Sequence, residues 1–327
     1  MAPSVMLLLA CCVLLHLGTS LRLPPLTDAT EADDFDYDAE VTVRKKLPNI
    51  SAFERDWKRA YYSERKKTEP MSDGPDGLKL VLGVFTEANQ TEYRKVVRRT
   101  WLQQQGVCLY RPGPLDPSCT VYVAFVVGNR IKTPPGANTS SATQLKARVP
   151  PGSFGVDVEE NTNEGKAFAW FQAASREFPW ATHIAKCDID TYPFLHKLLA
   201  RMSSRRCVKN DHEFAGQYTG LFNNSCAPRA CETNYDAPEQ RMQFISRPSE
   251  PFVHVGGQFY LMSRRLAQKV ARPGSFWEAH RNWPEGHAIS RAIDATATEH
   301  KFCVFPWLPD SWYHHGEEVG SDFANDF

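Results

Sequence analysis

Two carboxylates, Asp188 and Asp190, stand one residue apart in the chain, directly after Thr182 to Cys187, a short strand-like run. A strand that ends in acids spaced i, i+2 can point both, directly or through water, at one hard cation, and that cation would neutralise a diphosphate. The alternative is a solvated turn at a strand end. A metal-dependent phosphohydrolase could use the same pair, so the triplet names a chemistry before it names a function.

The surrounding sequence says what would hold these acids. Leu78 to Phe85 is an apolar run of strand character, Glu92 to Gln104 reads as a helix, and Thr120 to Val127 is a second strand ending at Gly128. Lys166 to Phe178 is an amphipathic helix, because Ala167, Trp170, Phe171, Ala174 and Phe178 recur at helical spacing, with Asn161 and Asn163 as candidate caps. The strand Thr182 to Cys187 follows, then a helix over Phe194 to Met202. Strands alternating with helices predict an α/β fold with a largely parallel sheet, which binds ligands at the carboxyl ends of its strands.

The 327 residues suffice for one large domain or two small ones. The 38 basic and 38 acidic side chains cancel, which argues against nucleic-acid binding, since that needs a basic face to displace counterions. From Met1 to Leu21 no side chain is charged, and Val5 to Leu17 is nearly unbroken apolar sequence. A membrane span takes about 20 apolar residues, so residues 1–21 read as a signal peptide cleaved near Gly18-Thr19-Ser20, or as a short signal anchor. Both readings place the bulk of the chain in the lumen or outside the cell. Sequons at Asn49, Asn89, Asn138 and Asn223 fit that address.

Residues 22–77 read as a stem: Pro24-Pro25, an acidic run from Asp28 to Asp38, then a basic stretch, with a short helix over Ser51 to Tyr62 on the spacing of Phe53, Trp57 and Tyr61. Ser72 to Gly77 marks the boundary before a folded domain over 78–327. Of nine cysteines, removal of Cys11 and Cys12 leaves seven, so at least one thiol stays free. Cys187, in an apparent buried strand, is the candidate; Cys108 with Cys119, and Cys226 with Cys231, flank loops that a disulfide could staple.

Several blocks, in order, resemble the β-1,3-galactosyltransferase and N-acetylglucosaminyltransferase family, glycosyltransferase family 31, and especially its protozoan UDP-Gal or UDP-GlcNAc-dependent members. Arg94 to Trp101 is similar to R-x-x-x-R-x-T-W, Phe125 to Gly128 to the second strand, and Asn163 to Lys166 to the lead-in to the acidic motif. Lys186-Cys187-Asp188-Ile189-Asp190 resembles K-x-D-D-D, Gly256 to Ser263 the glycine turn and strand of the acceptor half, and Pro284-Glu285-Gly286-His287 takes the place of the E-D motif.

The resemblance implies a GT-A type fold, a Rossmann-like, mostly parallel sheet flanked by helices. It also implies an inverting, metal-dependent hexosyltransferase that moves galactose or N-acetylglucosamine from a UDP-sugar to a glycan acceptor and forms a β-1,3 linkage. On this basis Asp188 and Asp190 hold Mn2+ and, with Arg98, the donor; Gly256, Gly257 and Gln258 meet the sugar or acceptor; and His314 or His315 adds a metal ligand. The implied address is the Golgi membrane with a lumenal catalytic domain (type II), or the secretory lumen after cleavage. Two departures stand out. Gly286 occupies the position of the family's base, leaving Glu285 and His287 as candidate proton acceptors, and Ile189 replaces the middle acid. The alternative is a catalytically impaired relative that binds nucleotide sugar or glycan without turnover.

Overall fold

The run at Leu78 to Phe85 forms the central strand, β1 (Leu80–Phe85), buried along its whole length. The computed structural model describes residues 47–67, 77–130, 149–160, 165–205, 212–223, 251–300, 304–307 and 313–315. The N-terminal apolar run, Asn138, the candidate caps Asn161 and Asn163, and Cys226 with Cys231 lie outside them. No helix among the described residues is long and apolar enough to cross a membrane.

In chain order the elements are α1 (Ile50–Lys67), β1, α2 (Thr91–Arg99), β2 (Val107–Leu109), β3 (Val121–Arg130), β4 (Ser153–Glu159), α3 (Lys166–Glu177), β5 (His183–Asp188), β6 (Thr191–Pro193) and α4 (Leu195–Arg205). They continue with β7 (Glu213–Asn223), β8 (Pro251–Ser263), α5 (Arg264–Val270), α6 (Phe276–Ala279), α7 (Glu285–His300), β9 (Phe305–Trp307) and β10 (Tyr313–His315). The main sheet runs β2-β3-β1-β5-β8-β7-β9, with β4 also on β3; β6 and β10 make a second, two-stranded sheet. β1 is parallel to β3 and to β5, whereas β8 is antiparallel to both β5 and β7. The chain moves outward from β1 to β3 and β4, then returns through α3 to β5 on the other side of β1, so the sheet reverses its winding at β1 and β5. In such sheets that reversal opens a crevice at the carboxyl ends of the strands.

Alternation along the strands divides the core in two. Leu80, Leu82, Val84, Ala185 and Cys187 join a cluster with residues of α1, α2 and α4. Val81, Phe85, Ile184, Tyr260 and Met262 join the opposite cluster with α3, α5 and α7. On that second face Trp170 of α3 lies against Gly83, where a Cβ would come within 2.5 Å of the indole, and its Nε1 donates to Ala185 O at 3.0 Å.

Three elements differ from their sequence expectation for visible reasons. The helix expected over Glu92 to Gln104 breaks at Thr100, whose hydroxyl donates back to Val96 O at 2.8 Å, and a 3-10 turn over Trp101–Gln103 follows. The second strand continues through Gly128 to Arg130 because β4 pairs along its far half. The helix expected within the stem is α1, and it packs on the main core: Phe53 and Trp57 stack at 4.1 Å, Tyr93 meets Phe53 edge-on at 5.0 Å, and Trp57 meets Tyr192 edge-on at 5.9 Å. Helix α1 belongs to the same compact unit as the main sheet. Cys108 and Cys119 form a disulfide and Cys187 is a buried free thiol, as expected from the loop between the first two and the strand that holds the third.

Candidate active site

Strand β5 ends at Asp188, opposite Phe85, the last residue of β1, so the acid pair lies at the winding reversal. Along β5, Lys186 and Asp188 share one face while Cys187 and Ile189 take the other. Ile189 is buried in the cluster with Tyr192 and Phe194, so the middle position of the motif is core in this chain. Asp188 keeps a side-chain exposure of 31%, and Asp190 is half-buried. Two oxygen donors at an open strand end are a set that suits a hard divalent cation.

The group that organises the site is Lys186, which the sequence reading passed over. Its ammonium is 1% exposed and lies 2.7 Å from Asp188 Oδ1 and 2.9 Å from Glu285 Oε1. It also donates to Gly257 O and sits 5.0 Å from the centroid of Phe85. Burial works against its charge, but Asp188 and then Glu285 outweigh that and hold it above the ordinary lysine value. Burial raises the Glu285 carboxyl above the usual carboxylate range, with Lys186 opposing and Asp188 adding to the rise. Tyr260, opposite Lys186 on β8, is raised well above its usual value by burial and by Glu285.

Next to this cluster, Lys166 is 1% exposed, pairs with Glu160 at 2.5 Å and donates to Thr86 O at 3.0 Å. The start of α3 therefore points at the carboxyl end of β1. Glu160 in turn accepts from Gly128 N, tying the end of β3 to the same floor. Arg94 is buried and fixes the loop after β1, donating to Ala88 O at 2.9 Å and to Thr91 Oγ1 at 3.0 Å.

The remaining candidates fall into place around these. Gly256, Gly257 and Gln258 lie on β8 beside the acids; Thr191 Oγ1 donates to Gln258 O at 3.4 Å, and Gln258 Oε1 is buried without a hydrogen-bond partner among the described residues. Arg98 stands at the junction of β2 and β4, over the Phe125 ring at 4.7 Å and donating to Pro151 O at 3.3 Å. In the small sheet the backbone of His315 pairs with Thr191 and that of His314 with Tyr192, so β10 runs alongside the residues that follow Asp190. Among described residues Cys108, Asp116 and Cys119 also lie close together, but the two sulfurs are bonded to each other and offer no ligand.

Glu285 and His287 both belong to the first turn of α7, yet two helical positions differ by about 200° around the axis. Glu285 faces Lys186, whereas the His287 ring lies 5.4 Å from that of Trp283, and burial lowers its pKa, with Arg291 adding to the effect. Between them Gly286 is buried, and a Cβ there would fall 2.1 Å from Val255 O and 3.2 Å from Gly257 N. The helix thus approaches β8 more closely than any side chain at 286 permits. Gly286→Asp is expected to lower the melting temperature and to leave turnover at or below wild type, because the acid has no room where the family carries its base. Restored or enhanced turnover in that variant would contradict the close approach.

Further along α7, Asp294 is buried, with Oδ1 lacking a hydrogen-bond partner among the described residues and Arg291 3.7 Å away. Burial pushes its carboxyl up to about 7. The folded chain then holds a proton that the unfolded chain releases near pH 4, so this residue's contribution to stability is present below that pH and is lost as pH rises to about 7. The loss is on the order of 4 kcal/mol. Asp294→Asn should raise the melting temperature at pH 8 and change it little at pH 4; an equal shift at both values would contradict a protonated Asp294.

A mixed sheet flanked by helices, with an acid pair at the end of a central strand, fits a GT-A type fold. The galactosyltransferase family model matches residues 92–282. The chain belongs to this family, glycosyltransferase family 31, and is a glycosyltransferase enzyme. No curated protein matches it. The matched region holds the acid pair and β8, while α1, β1 and the Glu285 turn lie outside its limits.

Proposed function

We propose that the chain is an inverting hexosyltransferase that moves galactose or N-acetylglucosamine from a UDP-sugar to a hydroxyl of a glycan acceptor, forming a β-1,3 linkage. The observation that carries this reading is the cluster of Asp188, Lys186 and Glu285 at the winding reversal, within a galactosyltransferase fold. Asp188 and Asp190, with His314 or His315 from the adjacent strand, are the residues that would hold a divalent cation, and Mn2+ suits their mixed oxygen and nitrogen donors. Once bound, the cation supplies charge stabilisation to the departing diphosphate.

The chain's own groups account for the other half of the reaction. Glu285, whose carboxyl burial holds above the usual carboxylate range, accepts in its ionised form the proton of the acceptor hydroxyl while that oxygen forms its bond to the anomeric carbon. The bond from that carbon to the UDP oxygen breaks on the opposite face, and UDP leaves with the electron pair. Gln258 Oε1, lacking a hydrogen-bond partner among the described residues, accepts from a sugar hydroxyl. Arg98 approaches the donor from the β2–β4 junction. The Cys108–Cys119 disulfide and the sequons favour a lumenal catalytic domain in the Golgi, with residues 1–21 as anchor or cleaved signal.

The test is UDP release by the purified full chain from a panel of UDP-sugars, with and without Mn2+, alongside Asp190→Ala. Release from one donor, dependent on metal and abolished in Asp190→Ala, supports the transferase reading. One observation favours a second reading: the position of the family's base is closed by backbone at Gly286. UDP binding with Mn2+ but no turnover of any donor would make the chain a nucleotide-sugar binding protein.

A further inference from the structure

Lys186 lies where a bound cation and an ammonium would compete for the same carboxylate. It is 1% exposed and touches Asp188, Glu285 and the carbonyl of Gly257, that is, the end of β5, the start of α7 and the glycine pair of β8. Two aromatic rings flank it, Phe85 at 5.0 Å and Tyr260 at 5.9 Å. A buried ammonium costs several kcal/mol of lost hydration unless carboxylates surround it, so a chain that needed only a strand here would carry an apolar residue. Its immediate neighbours along β5, Ala185 and Cys187, are of that kind.

We propose that Lys186 is a positioning residue with two effects: it fixes the Glu285 carboxylate relative to Asp188, and it weakens the hold of Asp188 on the divalent cation. The inference rests on the proposed metal role of Asp188. Its geometry follows from the strand: positions 186 and 188 lie on one face, so an ammonium at 186 reaches back to the acid while Glu285 comes from the helix above. Its electrostatics follow from Coulomb's law: a fixed positive charge beside a ligand opposes a second, incoming one. A tempered affinity has a chemical use, because a cation held too tightly would retain UDP after transfer.

The two effects have opposite signs in experiment, which separates this role from a plain structural one. Lys186→Gln removes the ammonium beside the buried Glu285 and is liable to misfold, so the informative variant is the neutral pair Lys186→Gln with Glu285→Gln. Mn2+ binding to the full chain in the presence of UDP is read by electron paramagnetic resonance titration, with circular dichroism to confirm folding. The double variant should bind Mn2+ about tenfold more tightly than wild type or better, while Glu285→Gln alone should change the affinity less. Lys186→Arg, which keeps the charge but changes its position, should retain wild-type Mn2+ affinity and lose about 100-fold in kcat with little change in donor KM. A folded double variant that binds Mn2+ equally or more weakly overturns this inference alone. Wild-type protein that binds no Mn2+ overturns it together with the metal role of Asp188.

Discussion

Glu285→Gln should lower turnover by about two to four orders of magnitude, the usual contribution of a general base, while UDP and Mn2+ still bind. Glutamine matches glutamate in size and can still accept a hydrogen bond from Lys186, so the fold and the acid pair should survive. What it loses is the ability to take a proton. The same experiment judges the other acceptor considered for this role, because His287 turns away from the acids towards Trp283. His287→Ala should therefore retain kcat within a few-fold of wild type. If Glu285→Gln keeps full turnover and His287→Ala loses it, the proton leaves by the other face of α7 and the assignment is reversed. The pair of variants also bears on Gly286: a large loss in Glu285→Gln means that the acid has moved one position along the chain, with the helix drawn against β8 to bring it into place.

How much of this was legible in the sequence depended on how local the signal was. The strand-helix alternation placed β1, β3 and β5, and the spacing of Ala167, Trp170, Phe171, Ala174 and Phe178 identified α3, because each pattern arises within a dozen residues. Asp188 and Asp190 were readable for the same reason. Lys186 was not, although a signal was present: a lysine inside an otherwise apolar strand, two positions before an acid, must share that acid's face. The burial of Lys166 was not legible either, because a cation at a helix start is ordinarily solvated and only the tertiary fold closes over it. Gly286 looked like the plain loss of an acid. Its structural meaning depends on how closely α7 approaches β8, a distance set by packing between segments far apart in the chain. The short strands β2, β6, β9 and β10 gave no periodicity to read, since three residues do not make a pattern.

Helix α1 shows the same limit and leads to the largest expected effect on stability. Its period was legible, with Phe53, Trp57 and Tyr61 on one face, but a period tells that a face is buried and not what buries it. In the structure Phe53 and Ala60 are 0% exposed and Trp57 is 1% exposed, and they share a cluster with Ile189, Tyr192 and Phe194, the residues that carry the chain through and beyond the acid pair. Tyr93 anchors the approach to the helix by donating to Pro48 O at 2.7 Å. Trp57→Ala should thus cost about 3 to 5 kcal/mol, the usual effect of emptying a buried tryptophan site, against a whole stability of about 5 to 15 kcal/mol. Tyr62→Ala on the same helix, where the side chain is 56% exposed, should cost little. Denaturant unfolding of both variants measures the contrast. A chain that starts at Leu78 removes the helix altogether and uncovers Trp57's partner Tyr192 beside the acids, so it should be insoluble or devoid of UDP-sugar turnover. A soluble and fully active chain from Leu78 would show that α1 merely covers the domain, and that the acid turn holds its shape without it.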